Sequence, residues 1–230
     1  MNVDTLRESA LPRVILIEDD AGFANSVRQV LGGGLFVVTY FTADAGRRAI
    51  ESTDSAAGAV VDLWLPDGDG WELLEAAARH RPLTPAMILS GHLRLEDLGR
   101  AARLRVLASP KEDYRESLVH FGRRCLVEGG LANLAARERV LQHADSCELT
   151  MRETLILVLA IEGLSRKDMQ SVCNASESSL KHEIHLLLSK SAGGPACSRV
   201  AASSLEQLAA GVLREAVQND SVPLPYWHRS

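Results

Sequence analysis

A chain of 230 residues, 46% of them hydrophobic, is long enough for one ordinary domain and a second small one. Its formal charge of −5 does not advertise a nucleic-acid binder. No apolar run approaches the roughly 18 residues of a membrane-spanning helix, so no membrane partner is expected. The opening MNVDTLRESALPR lacks the apolar core of a secretory signal, which predicts a cytoplasmic protein. Cys125, Cys147, Cys173 and Cys197 form no closely spaced pair of the kind that chelates zinc, and free thiols are expected.

Up to residue 124, short β-branched runs alternate with helical patterns, which predicts an α/β domain with a doubly wound parallel sheet. The expected strands are Val14–Ile17, Leu35–Phe41, Ala59–Val61, Ala86–Leu89 and Val106–Ala108. Phe23, Val27, Val30 and Leu31 mark the buried stripe of a first helix ended by Gly32–Gly34, and later helices start near Asp44, Gly70, Leu95 and Glu112. Residues 125–147 read as a linker helix.

Within 148–191 three helices can be placed from their caps. Thr150 with Glu153 forms a capping box, Gly163 stops that helix, Ser165 with Asp168 starts the second, and Ser176 starts the third. Three capped helices in this space predict a small all-α helix-turn-helix module. Residues 192–230 form an extension that begins with a Gly193-Gly194-Pro195 break. Leu205, Leu208, Ala209, Val212, Leu213 and Ala216 give it an amphipathic helix over 204–217. That helix is expected to pack as a further helix of the module, with docking or dimerisation as the other reading. The tail Asn219–Ser230 reads as a loose end in which Tyr226 and Trp227 are the docking candidates.

The richest segment is VVDLWLPDGDG, an apolar strand delivering Asp62 to a Pro/Gly turn at the sheet edge where open α/β folds hold their chemistry. The first strand ends in Glu18-Asp19-Asp20, so the fold brings several carboxylates together. Mutual repulsion makes such a cluster costly without a cation, and oxygen-only ligands point to Mg²⁺. A metal there neutralises an attacking Asp62 carboxylate and incoming phosphoryl oxygens.

Residues 13–124 resemble the receiver domain of bacterial two-component response regulators, a flavodoxin-like fold. VILIEDD looks like its first strand and acidic pair, VVDLWLPDGDG like its phosphoacceptor segment, and the separation 62 − 19 = 43 is of the size the family shows. The resemblance implies phosphorylation of Asp62 by a sensor histidine kinase. It implies Mg²⁺ held by Glu18, Asp19, Asp62 and the main-chain carbonyl of Trp64, with Asp20 the alternative ligand if the register slips by one. MILSG resembles the fourth strand, placing Ser90 at the hydroxyl position that contacts the phosphoryl group. The fifth strand departs from the pattern: in VLASPKED either Ser109 or Lys111 takes the place of the family's lysine. Lys111 is preferred because its long stem can reach back. No aromatic residue stands at the switch position, where Val106 or Ala108 falls.

Residues 149–190 resemble the LuxR-type helix-turn-helix output domain, with Glu177–Ser189 as recognition helix entering the major groove. The resemblance implies DNA contact by Arg166, Lys167, Ser178, Ser179, Lys181, His182 and His185, while Glu183 stands where the family often has histidine. From Glu148 to Ser191 the balance is five basic against six acidic residues, 5 − 6 = −1. Phosphate neutralisation alone therefore predicts weak DNA binding by a monomer. His182-Glu183-Ile184-His185 lacks the four-residue histidine spacing of a zinc protease, and Trp64 stands where a phosphohydrolase would carry a second acid.

The expected function is that of a non-enzymatic response regulator acting on promoter DNA as a homodimer. The alternative keeps the receiver and gives the C-terminal half a protein-interaction role.

Overall fold

The computed structural model describes residues 11–52, 56–80, 85–131, 134–193 and 203–218. The Gly194-Pro195 part of the expected break, Cys197 and the tail with Tyr226 and Trp227 lie outside them. The chain divides into two compact units, 1–130 and 131–230.

The first unit runs β1 (Arg13–Ile17), α1 (Ala21–Leu31), β2 (Phe36–Tyr40), α2 (Ala43–Ser52), β3 (Ala56–Val61), β4 (Trp64–Leu65), β5 (Gly68–Asp69), α3 (Gly70–His80), β6 (Ala86–Ser90), α4 (Leu95–Leu104), β7 (Leu107–Pro110) and α5 (Arg115–Gly130). Five strands form one parallel sheet in the order β2-β1-β3-β6-β7. This is the flavodoxin-like doubly wound order, and it puts the switch point, where such sheets place their ligands, beside β1 and β3. The five expected strands are all present.

Both faces of the sheet are covered, which is why its strands read as continuous apolar runs. Ile15, Ile17, Ala59, Val61 and Ile88 join Ala49, Ile50, Leu73, Leu74 and Ala101 from α2, α3 and α4 in one core cluster. The opposite parity, Val14, Leu16, Val60 and Met87, is equally buried. On that side Gly58 leaves room for Phe121 and Cys125 of α5; a Cβ there would fall 2.3 Å from the Cys125 sulfur. Burial pushes the Cys125 thiol pKa well up, which makes it a packing residue.

Between β3 and α3 the chain forms a small antiparallel hairpin, β4 with β5, that sequence periodicity does not foresee. Asp67 at its tip accepts hydrogen bonds from the Ala43 and Asp44 N–H groups at 2.7 and 3.1 Å, capping α2 from a distant part of the chain. Those donors lower its carboxyl pKa. Gly70 closes the loop: a Cβ there would lie 2.1 Å from the Asp62 carbonyl oxygen.

The second unit consists of α6 (Leu134–Ser146), α7 (Met151–Ile161), α8 (Arg166–Cys173), α9 (Glu177–Gly193) and α10 (Leu205–Gln218). The capping box at Thr150 is formed: its hydroxyl accepts from the Glu153 N–H, and the Glu153 carboxylate accepts from the Thr150 N–H at 2.7 Å. Glu153 is buried and also pairs with Lys190 of α9 at 2.7 Å. Gly163, at φ 77°, turns the chain after α7, and Asn174, at φ 46°, ends α8. Helix α10 packs against α6 and α7 through Leu205, Leu208, Ala209 and Val212, all buried. These four residues of its apolar stripe are thus buried within its own unit. Cys125 and Cys173 form no disulfide, but Cys147 is disulfide-bonded, which corrects the expectation of four free thiols. Pairing is decided by proximity in space, which sequence separation does not reveal.

Replacing Glu153 with Ala removes a cap and the carboxylate partner of Lys190, whose ammonium keeps the Glu148 carbonyl, and it is expected to lower the stability of the second unit by about 1–2 kcal/mol in urea unfolding.

Candidate functional site

The sheet register builds the site. Ile17 of β1 lies opposite Val61 of β3, so Glu18 and Asp62 leave adjacent strands side by side, and the Asp62 N–H donates to the Ile17 carbonyl at 2.9 Å. Both carboxylates are buried, at 1% and 5% exposure. Asp19 is exposed, and one ligand oxygen from each of Glu18, Asp19 and Asp62 lies within 4.8 Å of the others. The Trp64 N–H donates to Asp62 Oδ1 at 3.2 Å, which sets the Trp64 main chain against the same carboxylate, while its indole is exposed. Asp20 is elsewhere engaged: its carboxylate accepts from the Gly22 and Phe23 N–H groups and caps α1.

Pro110 lies opposite Ser90 across β6 and β7, and the Lys111 N–H donates to the Ser90 carbonyl at 3.1 Å. One residue beyond the strand, the Lys111 side chain reaches back into the acidic pair. Its ammonium lies 2.7 Å from Asp62 Oδ2 and 2.7 Å from Glu18 Oε2. Ser109, the other contender, is buried and its hydroxyl turns instead to the Asp113 carbonyl, donating at 3.3 Å. Ser90 is fully buried at the end of β6, its hydroxyl 3.5 Å from the His92 N–H.

Burial is the largest influence on Glu18 and raises its pKa. The hydrogen bond and charge of Lys111 oppose this without overcoming it. For Lys111 burial would lower the pKa, but the hydrogen bonds and charges of Asp62 and Glu18 together leave it raised. The site is therefore a buried anionic pair partly neutralised by one internal cation, with Asp19 at its rim. Its all-oxygen donor set suits Mg²⁺.

Sequence reasoning missed two aromatic neighbours. The Lys111 ammonium lies 4.7 Å from the centroid of the Phe23 ring, and Phe23 meets Tyr114 edge-on with ring centroids 5.0 Å apart. Phe23 follows an i, i+4 apolar pattern and looks like core. Its place in the first turn of α1, directly after the acidic end of β1, puts it beside the pocket.

In the second unit Ser178, Ser179, Lys181, His182 and His185 lie exposed along α9. The Ser176 hydroxyl accepts from the Ser179 N–H at 3.1 Å and lies 3.0 Å from the hydroxyls of both Ser178 and Ser179. Lys167 is exposed, whereas Arg166 pairs with Glu206 of α10 at 3.2 Å. Arg152 of α7 holds Glu183 at 3.0 Å and donates to the Cys173 carbonyl at 2.5 Å, bracing α8 and α9 together.

Strand order, acidic pocket and sequence similarity together support a response-regulator receiver domain in the first unit. Over 110 residues the chain is 34% identical to the cell cycle response regulator CtrA of Brucella ovis, a match covering 47% of this chain and 44% of that relative. The same figures hold for CtrA of Brucella anthropi. The match thus spans less than half the length of these curated relatives. Among solved structures, the CheY-like receiver domain protein from Methanospirillum hungatei JF-1 is similar over 52% of this chain and 99% of its own, at 28% identity and TM-score 0.44. Full-length FixJ from B. japonicum is similar over 90% of this chain and 98% of its own, at 22% identity and TM-score 0.46. No protein-family profile matches the chain. Among the described residues, no helix is long and apolar enough to cross a membrane.

Lys111→Met should leave two buried carboxylates without a cation and destabilise the metal-free first unit by about 2–4 kcal/mol, with saturating Mg²⁺ returning most of the loss. Urea unfolding with and without Mg²⁺ measures both. A raised lysine pKa contributes stability that is complete below the ordinary value of 10.5 and disappears as pH rises through the raised value. The variant should lack that part of the alkaline stability loss.

Proposed function

We propose that the chain is a two-component response regulator whose first unit accepts a phosphoryl group on Asp62 from a sensor histidine kinase and whose second unit then binds promoter DNA as a homodimer. One observation carries the first half: a buried Asp62, beside Glu18 and within ligand distance of Asp19, held by an ammonium at the C-terminal edge of a 2-1-3-4-5 sheet. Glu18, Asp19, Asp62 and the Trp64 carbonyl would hold Mg²⁺. Bound there, the metal supplies charge neutralisation for the carboxylates and phosphoryl oxygens.

An Asp62 carboxylate oxygen attacks phosphorus in line, the phosphorus–nitrogen bond to the donor histidine breaks, and the imidazole nitrogen keeps the electron pair and takes a proton. Lys111 exchanges part of its carboxylate pairing for the new phosphoryl oxygens, and the Ser90 hydroxyl donates to one of them. Phosphorylation then acts by favouring a conformation already accessible to the unmodified protein. Acetyl phosphate with Mg²⁺ should label the wild type, and Asp62→Asn should abolish the label. Undiminished labelling of that variant overturns the assignment.

DNA contact is assigned to Lys167, Ser178, Ser179, Lys181, His182 and His185 along and beside α9, with Arg166 joining them only on leaving Glu206. A second reading, a protein-interaction role, is favoured by the pairing of charge. Of five basic residues in 148–191, Arg152, Arg166 and Lys190 are each tied to a carboxylate, leaving Lys167 and Lys181 for phosphates. The exposed Leu186 on α9 points the same way. Binding to genomic DNA at low salt should fall with a log–log salt slope of about −2 per protomer, and Lys181→Ala should bring it to about −1. Failure of the phosphorylated dimer to retain DNA selects the second reading.

A further inference from the structure

We propose that Phe23 is a positioning residue for Lys111, holding the ammonium in the carboxylate pocket by the face of its ring. The inference rests on the phosphoacceptor reading of Asp62 and adds to it a residue outside the pattern of acids, hydroxyl and lysine.

Lys111 stands one residue beyond the end of β7, and its stem crosses from that turn to the ends of β1 and β3. A long unbranched side chain spanning such a gap loses conformational freedom to stay there. The two carboxylates attract it from one direction, and Phe23 supplies a second surface, 4.7 Å from ammonium to ring centroid. A ring face attracts a cation through its quadrupole, more strongly where water is partly excluded. The Lys111 side chain is 20% exposed, so the contact lies in that partly dry regime.

Phe23 itself is fixed from two sides. Its N–H is held by the Asp20 carboxylate at 3.0 Å in the first turn of α1, and its ring packs against Tyr114, which is buried just before α5. The cap, the ring and its backing residue thus form a seat for the ammonium built from α1 and the approach to α5. No aromatic residue is present on β7, whose side chains are those of Leu107, Ala108, Ser109 and Pro110.

A seated ammonium does two things that pull apart experimentally. It competes with Mg²⁺ for Glu18 and Asp62, and it stands ready for the oxygens of an arriving phosphoryl group. Phe23→Leu keeps an apolar side chain at a half-buried position but removes the ring face. The freed lysine should compete less, so Mg²⁺ binds about threefold tighter, while Asp62 labelling by acetyl phosphate slows by about threefold to tenfold. Phe23→Tyr, which keeps the face, should restore both values.

Mg²⁺ affinity is read on the full chain by isothermal titration calorimetry. In a Lys111→Met background, Phe23→Leu should change Mg²⁺ affinity no further. Equal effects of Phe23→Leu with and without Lys111, parallel weakening of both readouts, or failure of Phe23→Tyr to restore them overturns the inference. Absence of any label on the wild type would instead sink the phosphoacceptor reading, and the Mg²⁺ cycle would still decide the role of Phe23.

Discussion

The Lys111 ammonium shared by Glu18 and Asp62 is the interaction on which the first unit's site depends. The sheet register puts two carboxylates at the ends of neighbouring strands and buries both, an arrangement that costs several kcal/mol if left uncompensated. The cation comes from a residue that is not on a strand at all. Its backbone is pinned by the bond from the Lys111 N–H to the Ser90 carbonyl, so the hydroxyl proposed to contact the phosphoryl group and the ammonium are positioned by one turn. Moving either element moves both.

Much of this was legible in the sequence, and for identifiable reasons. A parallel sheet covered on both faces writes itself as apolar runs, so all five strands could be found. Cap residues mark helix ends by the N–H groups they satisfy, so α7 and α8 could be placed from Thr150, Glu153, Ser165 and Asp168. The two-residue strands β4 and β5 are too short to carry periodicity, and they were invisible. The choice between Ser109 and Lys111 could not be made by alignment because it turns on reach: a four-carbon stem recovers a displacement that a short hydroxyl cannot. Phe23 was read only as part of the core stripe of α1, since counting periods assigns a face but not what lies beside that turn of the helix.

In the second unit a charge count gives the number of charges and not which of them are occupied. A balance of −1 treats every basic residue as available, yet Arg152 and Lys190 are occupied in holding α7 to α9. Glu183, a departure from the resembled domain, has its counterpart in Arg152, which also satisfies the carbonyl of Cys173 at the end of α8. The acid at that position thus belongs to the packing of the three-helix core. Its presence alone says little for or against an interface on the exposed side of α9, where Lys181, His182 and His185 lie.

An internal cation changes what the proposed phosphorylation would have to accomplish. In a pocket whose carboxylates were neutralised by solvent alone, a phosphoryl group would bring new charge and recruit a cation from outside. Here an internal cation is already paired, so the proposed phosphorylation would include an exchange of its partners, and the difference between old and new pairings would contribute to any shift of a conformational equilibrium. The ring of Phe23 bears on that difference, because an ammonium that leaves Glu18 for a phosphoryl oxygen changes its distance from the ring and hence from Tyr114 behind it. The ring keeps the ammonium within reach of both sets of partners, and a shift in that contact would be registered first by α1 and the start of α5.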